Sequence, residues 1–344
     1  MTLRVAFAKW WPNFDREHNF LVDALRSWFD VRVGEDPDIV FYSVFQGDLP
    51  TGEYLKVFYT GEPRRPDMSV ADWAFSYEYD EYFCHPRHMR LPLYVIDVDG
   101  GSFRADWGRD LVKHPDYADR VLRQQRPGFC GYVAYYDGPE RCAMFDRLSE
   151  YRKVTAPGRS RHNASPISDG DPEKSRLNES FQTQKRAWYE RFRFALVFEN
   201  RSYPGYTTEK LVDAMMAGCI PIYWGNPEIA RDFNPRSFVD VTAYETQQCA
   251  RLPRWLHSFP DLYRRVRARW VLPLAFSRAA ERVRHIDGDP GLRRKILVEP
   301  WLNQNRPSSY FDEARFLERM KMIGIDALTR KARRDCSSAE GSAT

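Results

Sequence analysis

Two glutamates, a lysine and a tyrosine follow an apolar run near residue 200, and their types suit a ligand that carries negative charge and hydroxyl groups. Glu199 and Glu209 can accept hydrogen bonds from the hydroxyls of a ribose or another sugar, and Tyr206 can stack or donate. Lys210 brings a positive charge, and Gly205 permits close approach of the backbone. These residues suit a nucleotide, while an ordinary strand-to-helix turn with a capping carboxylate is an equally open alternative.

The segments on either side of these residues indicate how the side chains are positioned. "FALVFEN" predicts a strand that turns polar at its carboxyl end, and "TTEKLVDAMMAG" predicts a helix capped by Thr207 or Thr208. Open α/β sheets bind ligands where a strand passes into a helix, and the unpaired amides of a helix start suit a pyrophosphate. Lys210 falls in the first helical turn, where the helix dipole disfavours a cation, and this misfit favours a bound anion.

Strand and helix patterns alternate along the rest of the chain. Residues 1–100 contain short runs rich in Val, Phe and Tyr between longer connections, which predicts parallel strands with crossovers. The alternation pauses in the aperiodic stretch 97–127 and resumes with "PGFCGYVAYY", "PERCAMFDRLSEY", "FALVFEN" and "IPIYWG". We therefore predict two doubly wound α/β domains, since 344 residues are more than one core usually organises.

The composition is typical of a soluble globular protein. Hydrophobic residues make up 43% of the chain and charged residues 29%, and no apolar run approaches the roughly 20 residues that cross a bilayer. Residues 1–11 predict a strand rather than a signal peptide. The six cysteines form no Cys-x-x-Cys pair and have no histidine at zinc-ligand spacing, so we expect reduced thiols in a cytoplasmic protein.

The carboxy-terminal part of the chain is more basic than the rest. Residues 251–344 contain 20 Lys and Arg against 11 Asp and Glu, a net +9, which leaves −5 for residues 1–250. Such a segment suits an anionic surface, and solvated arginine-rich helices are the other explanation. "FDEARFLERMKMIGIDAL" is spaced for an amphipathic helix, "TRKARRD" adds charge after it, and the last dozen residues are predicted to be disordered.

A longer stretch around residue 200 resembles a known family. The run "FENRSYPGYTTEKLVDAMMAGCIPIYWGNPEIARDFNPRSFVDV" resembles the donor-binding motif of the α-1,3-fucosyltransferases, glycosyltransferase family 10, over more than forty residues. "VAFAKWW", "VFYTGE", "MRLPLYV" and "FCGYVAYYDGPERCAMFDRLSEY" match in the same order along the chain. The resemblance covers residues 3–240, is closer to bacterial members than to others, and is highly specific.

The resemblance implies a GT-B fold, an α/β architecture with two Rossmann-like doubly wound domains facing across a cleft. The implied domains are residues 1–122, which bind the acceptor, residues 123–305, which bind GDP-fucose, and residues 306–344, a helix returning toward the first domain with a basic tail. The implied activity is inverting transfer of L-fucose from GDP-β-L-fucose to GlcNAc in LacNAc-type (Lewis-type) glycans. The resemblance does not decide whether fucose is linked to the 3- or the 4-hydroxyl. It also leaves open whether the acceptor is a free oligosaccharide or a lipopolysaccharide.

The resemblance also carries roles to single residues. Asn200, Tyr206, Glu209 and Lys210 fall on the donor motif, and Arg141 falls on the phosphate-binding arginine of the family. Glu209 is implied in catalysis as well, because its carboxylate can favour positive charge that develops on the sugar ring. "TAPGRSRHN", residues 155–163, stands where many relatives have a glycine-rich turn, so the backbone path behind the phosphates is an open point.

Glu62 is the catalytic base that the resemblance implies. It ends the run "YLKVFYTGE" between Gly61 and Pro63, which suit a tight turn that presents the carboxylate at the carboxyl edge of the sheet. Inverting transfer needs one group to remove the acceptor proton, so one carboxylate is enough. From position alone, a solvated charge at a strand end is the alternative for Glu62. A surface ion pair with Glu140 or Asp137 is the alternative for Arg141.

Asp-x-Asp strings offer a competing enzymatic explanation. Asp97 and Asp99 follow the run "LPLYVI", where a metal-dependent GT-A glycosyltransferase would hold a divalent cation and a nucleotide sugar. Further strings, which show how easily the pattern arises, occur at Asp36/Asp38, Asp169/Asp171 and Asp287/Asp289. We expect no required cofactor or metal, with a divalent metal at most stimulatory.

A non-catalytic glycan- or nucleic-acid-binding protein is the alternative outside enzymes. Aromatic residues make up 15% of the chain, but most of the rings fall inside strand and helix patterns, and no basic–aromatic nucleic-acid motif stands out. We expect GDP-fucose and a glycan acceptor as partners and no nucleic acid, in a cytoplasmic enzyme whose basic tail could contact the inner face of a bacterial membrane. The loops 63–70 and 77–88 should choose the acceptor.

Overall fold

Two separate stretches of chain build the first of two structural units, and one continuous stretch builds the second. The computed structural model describes residues 2–11, 14–97, 102–103, 108–168, 170–171 and 180–341. The first unit is Met1–Gly108 with Ser309–Thr344, and the second is Arg109–Ser308. The units divide after residues 108 and 308, which is 14 residues before the predicted boundary at 122 and three residues after the predicted boundary at 305.

A six-stranded parallel sheet lies at the centre of the first unit, in the order β2-β1-β3-β4-β5-β6. Its strands are β1 (Thr2–Ala8), β2 (Asp30–Val33), β3 (Ile39–Tyr42), β4 (Leu55–Tyr59), β5 (Trp73–Ser76) and β6 (His88–Arg90). The winding reverses between β1 and β3, because β2 is added on one side of β1 and β3 on the other. An antiparallel pair, β7 (Ile96–Asp97) and β8 (Ser102–Phe103), follows the sheet.

The described residues of the first unit form three helices: α1 (Phe20–Arg26), α2 (Asp80–Phe83) and, from the distant second stretch, α11 (Glu313–Gly341). The side chain of Asn19 caps α1 and accepts from the amides of the second and third residues that follow it, both at 3.1 Å. The ring of Phe316 on α11 lies 5.6 Å from that of Phe75 and 6.3 Å from that of Phe20. The last helix thus contributes directly to the apolar interior of this unit.

The basic end of α11 is bound to the same unit by ion pairs. Arg330 contacts Asp72 at 2.7 Å, and both Lys331 and Arg334 contact the fully buried carboxylate of Asp38, at 2.9 and 3.3 Å. The predicted disorder of the last dozen residues is wrong for residues 333–341, which are helical, because these charges have partners that composition does not reveal. Residues 342–344 lie outside the described residues.

A five-stranded parallel sheet lies at the centre of the second unit, in the order β10-β9-β11-β12-β13. Its strands are β9 (Gly128–Gly131), β10 (Val154–Thr155), β11 (Phe192–Phe198), β12 (Ile220–Trp224) and β13 (Val239–Asp240). Here the winding reverses between β9 and β11. Both long central strands are almost fully buried, as expected when helices cover both faces of a parallel sheet.

The second unit is rich in helices, and its last hundred residues are mainly helical. The helices are α3 (Tyr117–Arg123), α4 (Pro139–Ser149), α5 (Phe181–Tyr189), α6 (Glu209–Met216), α7 (Val241–Cys249), α8 (Pro260–Val266), α9 (Leu272–Gly288) and α10 (Pro290–Val298). A π-helical turn, Arg267–Val271, joins α8 to α9. Among the described residues, no helix has the length and apolar character needed to cross a membrane.

The predicted strand "MRLPLYVI" is wrong over most of its length. The strand β6 ends at Arg90, and Leu93–Val95 form a 3-10 turn before β7. Pro92 precedes that turn, and a proline cannot donate the hydrogen bond that a continuing strand would need. The short strands β2, β10 and β13 were not predicted, because two to four residues are too few for a periodic pattern.

Candidate functional site

A recess lies at the carboxyl ends of β9 and β11, where the sheet of the second unit reverses its winding. It has a volume of about 300 Å³, counted with its open mouth. Its walls are the backbone after β9, the end of β11 and three cationic side chains, Arg141, Lys185 and Lys210. Open α/β sheets bind ligands at such a reversal point, and the cations suit an anionic ligand.

Arg141 is buried in the first turn of α4 and has only neutral hydrogen-bond partners in the described part of the chain. Its guanidinium donates to the carbonyl oxygens of Phe198 and Tyr136, both at 3.3 Å, and to the side-chain oxygen of Asn200. Neither surface ion pair considered as an alternative is formed among the described residues. Glu140 contacts Arg267 at 3.4 Å, and Asp137 accepts from the hydroxyl of Ser160 at 2.6 Å. A buried guanidinium without a carboxylate partner is suited to bind a phosphate.

Lys210 has a structural partner as well as a place in the recess. Thr208 caps α6, and the carboxylate of Glu199 accepts from its amide at 2.7 Å and from the ammonium of Lys210 at 3.1 Å. Glu199 is 1% exposed, so our expectation that it binds ligand hydroxyls is wrong. Its negative charge also explains how a cation is tolerated in the first helical turn, without a bound anion.

Glu209 belongs to a second cluster of charges behind the recess. Lys185 is 6% exposed, and its ammonium lies 2.8 Å from Asp213 and 3.5 Å from Glu209. Burial alone would raise the pKa of Glu209, but the charges of Lys185 and Lys210 outweigh burial and lower that pKa to about 2. Glu209 is therefore a firmly ionised carboxylate at neutral pH.

Lys185 was missed by the sequence analysis. It lies on α5 three and four residues before the buried rings of Trp188 and Tyr189. A lysine in the apolar stripe of a helix is the signal that could have found it, because an unpaired ammonium is rarely placed there.

The loop between β11 and α6 positions the remaining donor-motif residues. Gly205 has φ +82°, a left-handed conformation that favours glycine, and its amide donates to the side chain of Asn226 at 2.9 Å. Tyr206 is 1% exposed and lies in the interior, and it is not among the described residues that line the recess. Asn200 reaches the recess through its contact with Arg141.

The segment 155–163 packs directly against the wall of the recess. A Cβ atom on Gly158 would lie 2.3 Å from the carbonyl oxygen of Ala134, a residue that lines the recess. The amide of Ser160 donates to the same oxygen at 3.1 Å. The segment therefore supports the backbone after β9, with a single glycine at the point of closest approach.

Glu62 lies in the first unit, in a tight turn after β4. The strand ends at Tyr59, and the amide of Glu62 donates to the hydroxyl of Thr60 at 3.0 Å, while its carbonyl accepts from the amide of Arg64 at 2.7 Å. A Cβ atom on Gly61 would lie 2.8 Å from the side chain of Leu93. The turn places Glu62 at the carboxyl edge of the sheet, half-buried.

The aspartates of the Asp-x-Asp strings lie in different structural environments. Asp97 ends β7, whereas Asp99 and Asp169 lie outside the described residues. Asp38 pairs with α11, and Asp287 pairs with Arg193 at 2.7 Å. In the part of the chain that the structure describes, no group of three or more His, Cys, Asp or Glu side chains could hold a metal ion.

Two family models match the chain, one in each unit. Residues 5–97 match the N-terminal domain of alpha-(1,3)-fucosyltransferase FucT, and residues 130–271 match the C-terminal part of glycosyltransferase family 10 (fucosyltransferase). The chain belongs to glycosyltransferase family 10. The second match contains the recess, and the first contains Glu62.

Relatives and solved structures agree with this family. An alpha-(1,3)-fucosyltransferase FucT of Helicobacter pylori is 28% identical over an alignment 298 positions long, which covers 76% of this chain and 58% of that protein. A putative fucosyltransferase of Acanthamoeba polyphaga mimivirus is 30% identical over 141 residues, 40% of this chain and 22% of that protein. The chain thus spans little more than half the length of its Helicobacter relative.

A solved structure of an alpha1,3-fucosyltransferase shares the fold. It covers 94% of this chain and 90% of its own, with a TM-score of 0.64 and 23% sequence identity. A crystal structure of an alpha1,3-fucosyltransferase with GDP-fucose matches this chain with a TM-score of 0.62. The family 10 chain therefore has the GT-B fold, with two parallel-sheet α/β units.

Proposed function

We propose that this family 10 chain transfers L-fucose from GDP-β-L-fucose to a hydroxyl of GlcNAc in a LacNAc-type glycan, with inversion at the fucose anomeric carbon. The observation that carries the proposal is the buried guanidinium of Arg141, held by neutral oxygens at the reversal point of the second sheet. A bound diphosphate would give this guanidinium the negatively charged partner that its neutral hydrogen-bond acceptors do not provide. The relatives named above, α-1,3-fucosyltransferases, support fucose as the sugar.

In this proposal, the donor is held by the second unit. Arg141 and Lys210 bind the diphosphate, and Asn200 orients Arg141 through its side-chain contact. Tyr206, buried in the loop, holds the backbone around Gly205 in place. The ionised carboxylate of Glu209 favours positive charge on the sugar ring as the bond to GDP breaks.

Glu62 of the first unit is the proposed catalytic base. It removes the proton of the acceptor hydroxyl while the oxygen attacks the anomeric carbon opposite GDP. The bond to the acceptor oxygen forms as the bond to the diphosphate breaks, and the diphosphate leaves as an anion next to Arg141 and Lys210. A second carboxylate is not needed, because the leaving group requires no proton.

We further propose that the reaction needs no divalent metal, because arginine and lysine side chains can neutralise the leaving diphosphate. Activity should survive an excess of chelator. Complete loss of activity in chelator, restored by manganese, would overturn this and favour the metal-dependent alternative with Asp97 and Asp99.

The acceptor is best identified by incubation with GDP-fucose and a panel of type 1 and type 2 disaccharides, followed by linkage analysis. We expect a 3-linked fucose on GlcNAc of the type 2 acceptor, with the loops 63–70 and 77–88 deciding between acceptors. GDP-mannose serves as the control donor and should give no product. Thermal stabilisation by UDP but not by GDP would contradict the proposed donor, since a specific ligand at ~100 times its dissociation constant stabilises by roughly 2.7 kcal/mol.

A further inference from the structure

An exposed apolar stripe runs along one side of the helical segment that follows α7. It consists of Trp255, Phe259, Leu262, Trp270 and Leu274, whose side chains are 59%, 56%, 43%, 66% and 45% exposed. From Phe259 onward, with the half-buried Val266, these residues recur every three or four positions along α8, the π-helical turn and α9. Such spacing places them on one face of a continuous helix.

The opposite face of the same segment is part of the core of the second unit. Leu272, Ala275 and Phe276 are buried there, together with the end of β11. The packing therefore fixes which side of the helix faces outward. The ring of Trp255 also lies 6.2 Å from that of Phe259 in an edge-to-face contact, so the 3-10 turn before α8 extends the stripe.

The stripe is bordered by arginines that have no acidic partner in the described part of the chain. Residues 251–274 contain six arginines and one aspartate. Arg264 pairs with Asp261 at 2.9 Å, and Arg267 pairs with Glu245. The other four, Arg251, Arg254, Arg265 and Arg269, are exposed, and no carboxylate of the described residues lies within salt-bridge distance of them.

This border differs from the other basic segment of the chain. Arg330, Lys331 and Arg334 at the end of α11 are each held by a carboxylate of the first unit. Their charges are already compensated, and those around the stripe are not. An anionic surface would therefore gain more from the stripe than from the end of α11.

We propose that the exposed stripe is a docking surface for a bilayer that contains anionic lipids. The apolar side chains enter the boundary between headgroups and acyl chains, and the four arginines contact lipid phosphates. A second copy of this chain would bring the same positive border against itself, and a nucleic acid would offer no apolar region for the two exposed leucines. The stripe is separate from the recess and the proposed transfer reaction.

Sedimentation with lipid vesicles tests this surface. We compare vesicles of phosphatidylcholine alone with vesicles of phosphatidylcholine and phosphatidylglycerol in equal parts, using the full chain. We expect binding to the second kind only, with about a fivefold loss of the partition coefficient for each arginine replaced by glutamine among Arg254, Arg265 and Arg269. Phe259→Ser with Trp270→Ser should reduce binding at least as much.

Two controls separate the stripe from general charge and general hydrophobicity. The first control is a triple variant that removes three positive charges from exposed positions outside the stripe: Arg32→Gln, Arg123→Gln and Lys153→Gln. The second control, Trp28→Ser, removes a ring of the first unit that is 47% exposed. Both control variants should bind vesicles as the wild type does. An equal loss in the controls, no binding by the wild type, or a wild type that dimerises through the stripe or binds an oligonucleotide instead would each overturn the proposal.

A second measurement uses the wild type and a conservative variant that keeps both aromatic rings. Brominated phosphatidylglycerol quenches tryptophans that enter the bilayer, so wild-type fluorescence should fall on vesicle binding. The quenched fraction should disappear in Trp255→Phe with Trp270→Phe, which keeps two aromatic rings in place. Quenching that persists in this variant would assign the contact to another surface.

Discussion

The reversal points of the two sheets have the same topology and opposite chemistry. In the second unit, the reversal between β9 and β11 is lined by Arg141, Lys185 and Lys210. In the first unit, the residues that follow β1 are aromatic, with the rings of Trp10 and Trp11 stacked 4.8 Å apart and Tyr59 within 6.0 Å of Trp10. One edge suits phosphate groups, whereas at the other the rings pack against one another, with Trp10 9% and Tyr59 0% exposed.

This difference shows that a few side chains at the strand ends can give two sheets of the same topology different chemistry. The central strands of both sheets, β3, β4, β11 and β12, are almost fully buried apolar segments. The residues immediately after them determine whether the edge attracts an anion or packs against a ring. If donor and acceptor are divided between the units as proposed, changes at one edge should affect one substrate and leave the other unchanged.

The largest effect is expected from Glu62→Gln in the first unit. Loss of a general base typically costs 10²- to 10⁴-fold, so turnover at saturating substrates should fall by about that factor. GDP affinity, measured by calorimetry, should stay unchanged, because we propose that the donor binds to the other unit. The exposed Glu53→Gln is the matched control. If Glu62→Gln keeps more than about a tenth of wild-type turnover, the base is another group, with Glu78 and Glu81 next to test.

Removal of residues 329–344 should destabilise the first unit only. The cut removes all three cations of α11 that pair with Asp72 and Asp38, and a buried carboxylate left without a partner costs about 3 to 5 kcal/mol. The unfolding transition of the first unit should move to lower denaturant, while GDP still protects the second. A cut of residues 337–344 keeps these pairs and serves as control; equal stability of the two truncated chains would show that the pairs contribute nothing.

Arg141→Ala should weaken GDP binding strongly at the donor edge. A buried charge-assisted contact is worth about 1.5 to 3 kcal/mol, which corresponds to an increase of about 10- to 150-fold in the dissociation constant. Arg147→Ala, on the same helix but exposed and paired with Glu150, should leave it unchanged. Equal GDP affinities for the two variants would remove Arg141 from the site.

Lys210→Met should have a smaller effect on GDP and an additional effect on stability. The ammonium is shared with Glu199, so we expect a loss of about 1 kcal/mol in GDP binding. The buried Glu199 then lacks its cation, and the free energy of unfolding should also fall. Adding Glu199→Gln should restore stability without restoring GDP affinity. Recovery of both by the double variant would show that Lys210 acts only through the helix start.

The smallest expected effect is on the loss of folding stability at low pH, to which one carboxyl group in each unit should contribute. In the second unit, Lys185 and Lys210 outweigh burial and lower the pKa of Glu209 to about 2; in the first, His88 and Arg315 do the same for Asp80, also to about 2. A lowered carboxyl pKa stabilises the fold above its ordinary value, here 4.5 or 3.8, and this stabilisation disappears as the pH falls toward about 2.

Denaturant unfolding between about pH 5 and pH 2.5 measures this dependence. Glu209→Gln should flatten the curve of the second unit by about 1 to 2 kcal/mol, and Asp80→Asn should flatten that of the first. Unchanged slopes in both variants would mean that other carboxylates dominate the loss of stability at low pH.

The sequence predicted the two parallel sheets and the strand-to-helix junction that borders the recess, and it missed the partners of individual charges. The pattern of "FALVFEN" and "TTEKLVDAMMAG" located β11 and α6, because hydrophobic periodicity is a local property. The pairing of Lys210 with Glu199 and of Lys185 with Asp213 joins residues 11 and 28 positions apart, and that of Lys331 with Asp38 joins residues 293 apart. Such pairs depend on the tertiary fold, which no local pattern encodes.

The interrupted first unit has a consequence for the order in which the chain folds during synthesis. At about 5 to 20 residues per second, the ribosome needs on the order of 10 to 40 s to pass from residue 109 to Arg334. During that interval the nascent sheet of the first unit lacks the helix that covers Phe20 and Phe75 and the cations that pair with Asp38, whereas the second unit has all its residues once residue 308 is made. The first unit, although it begins the chain, is thus expected to complete its fold after the second.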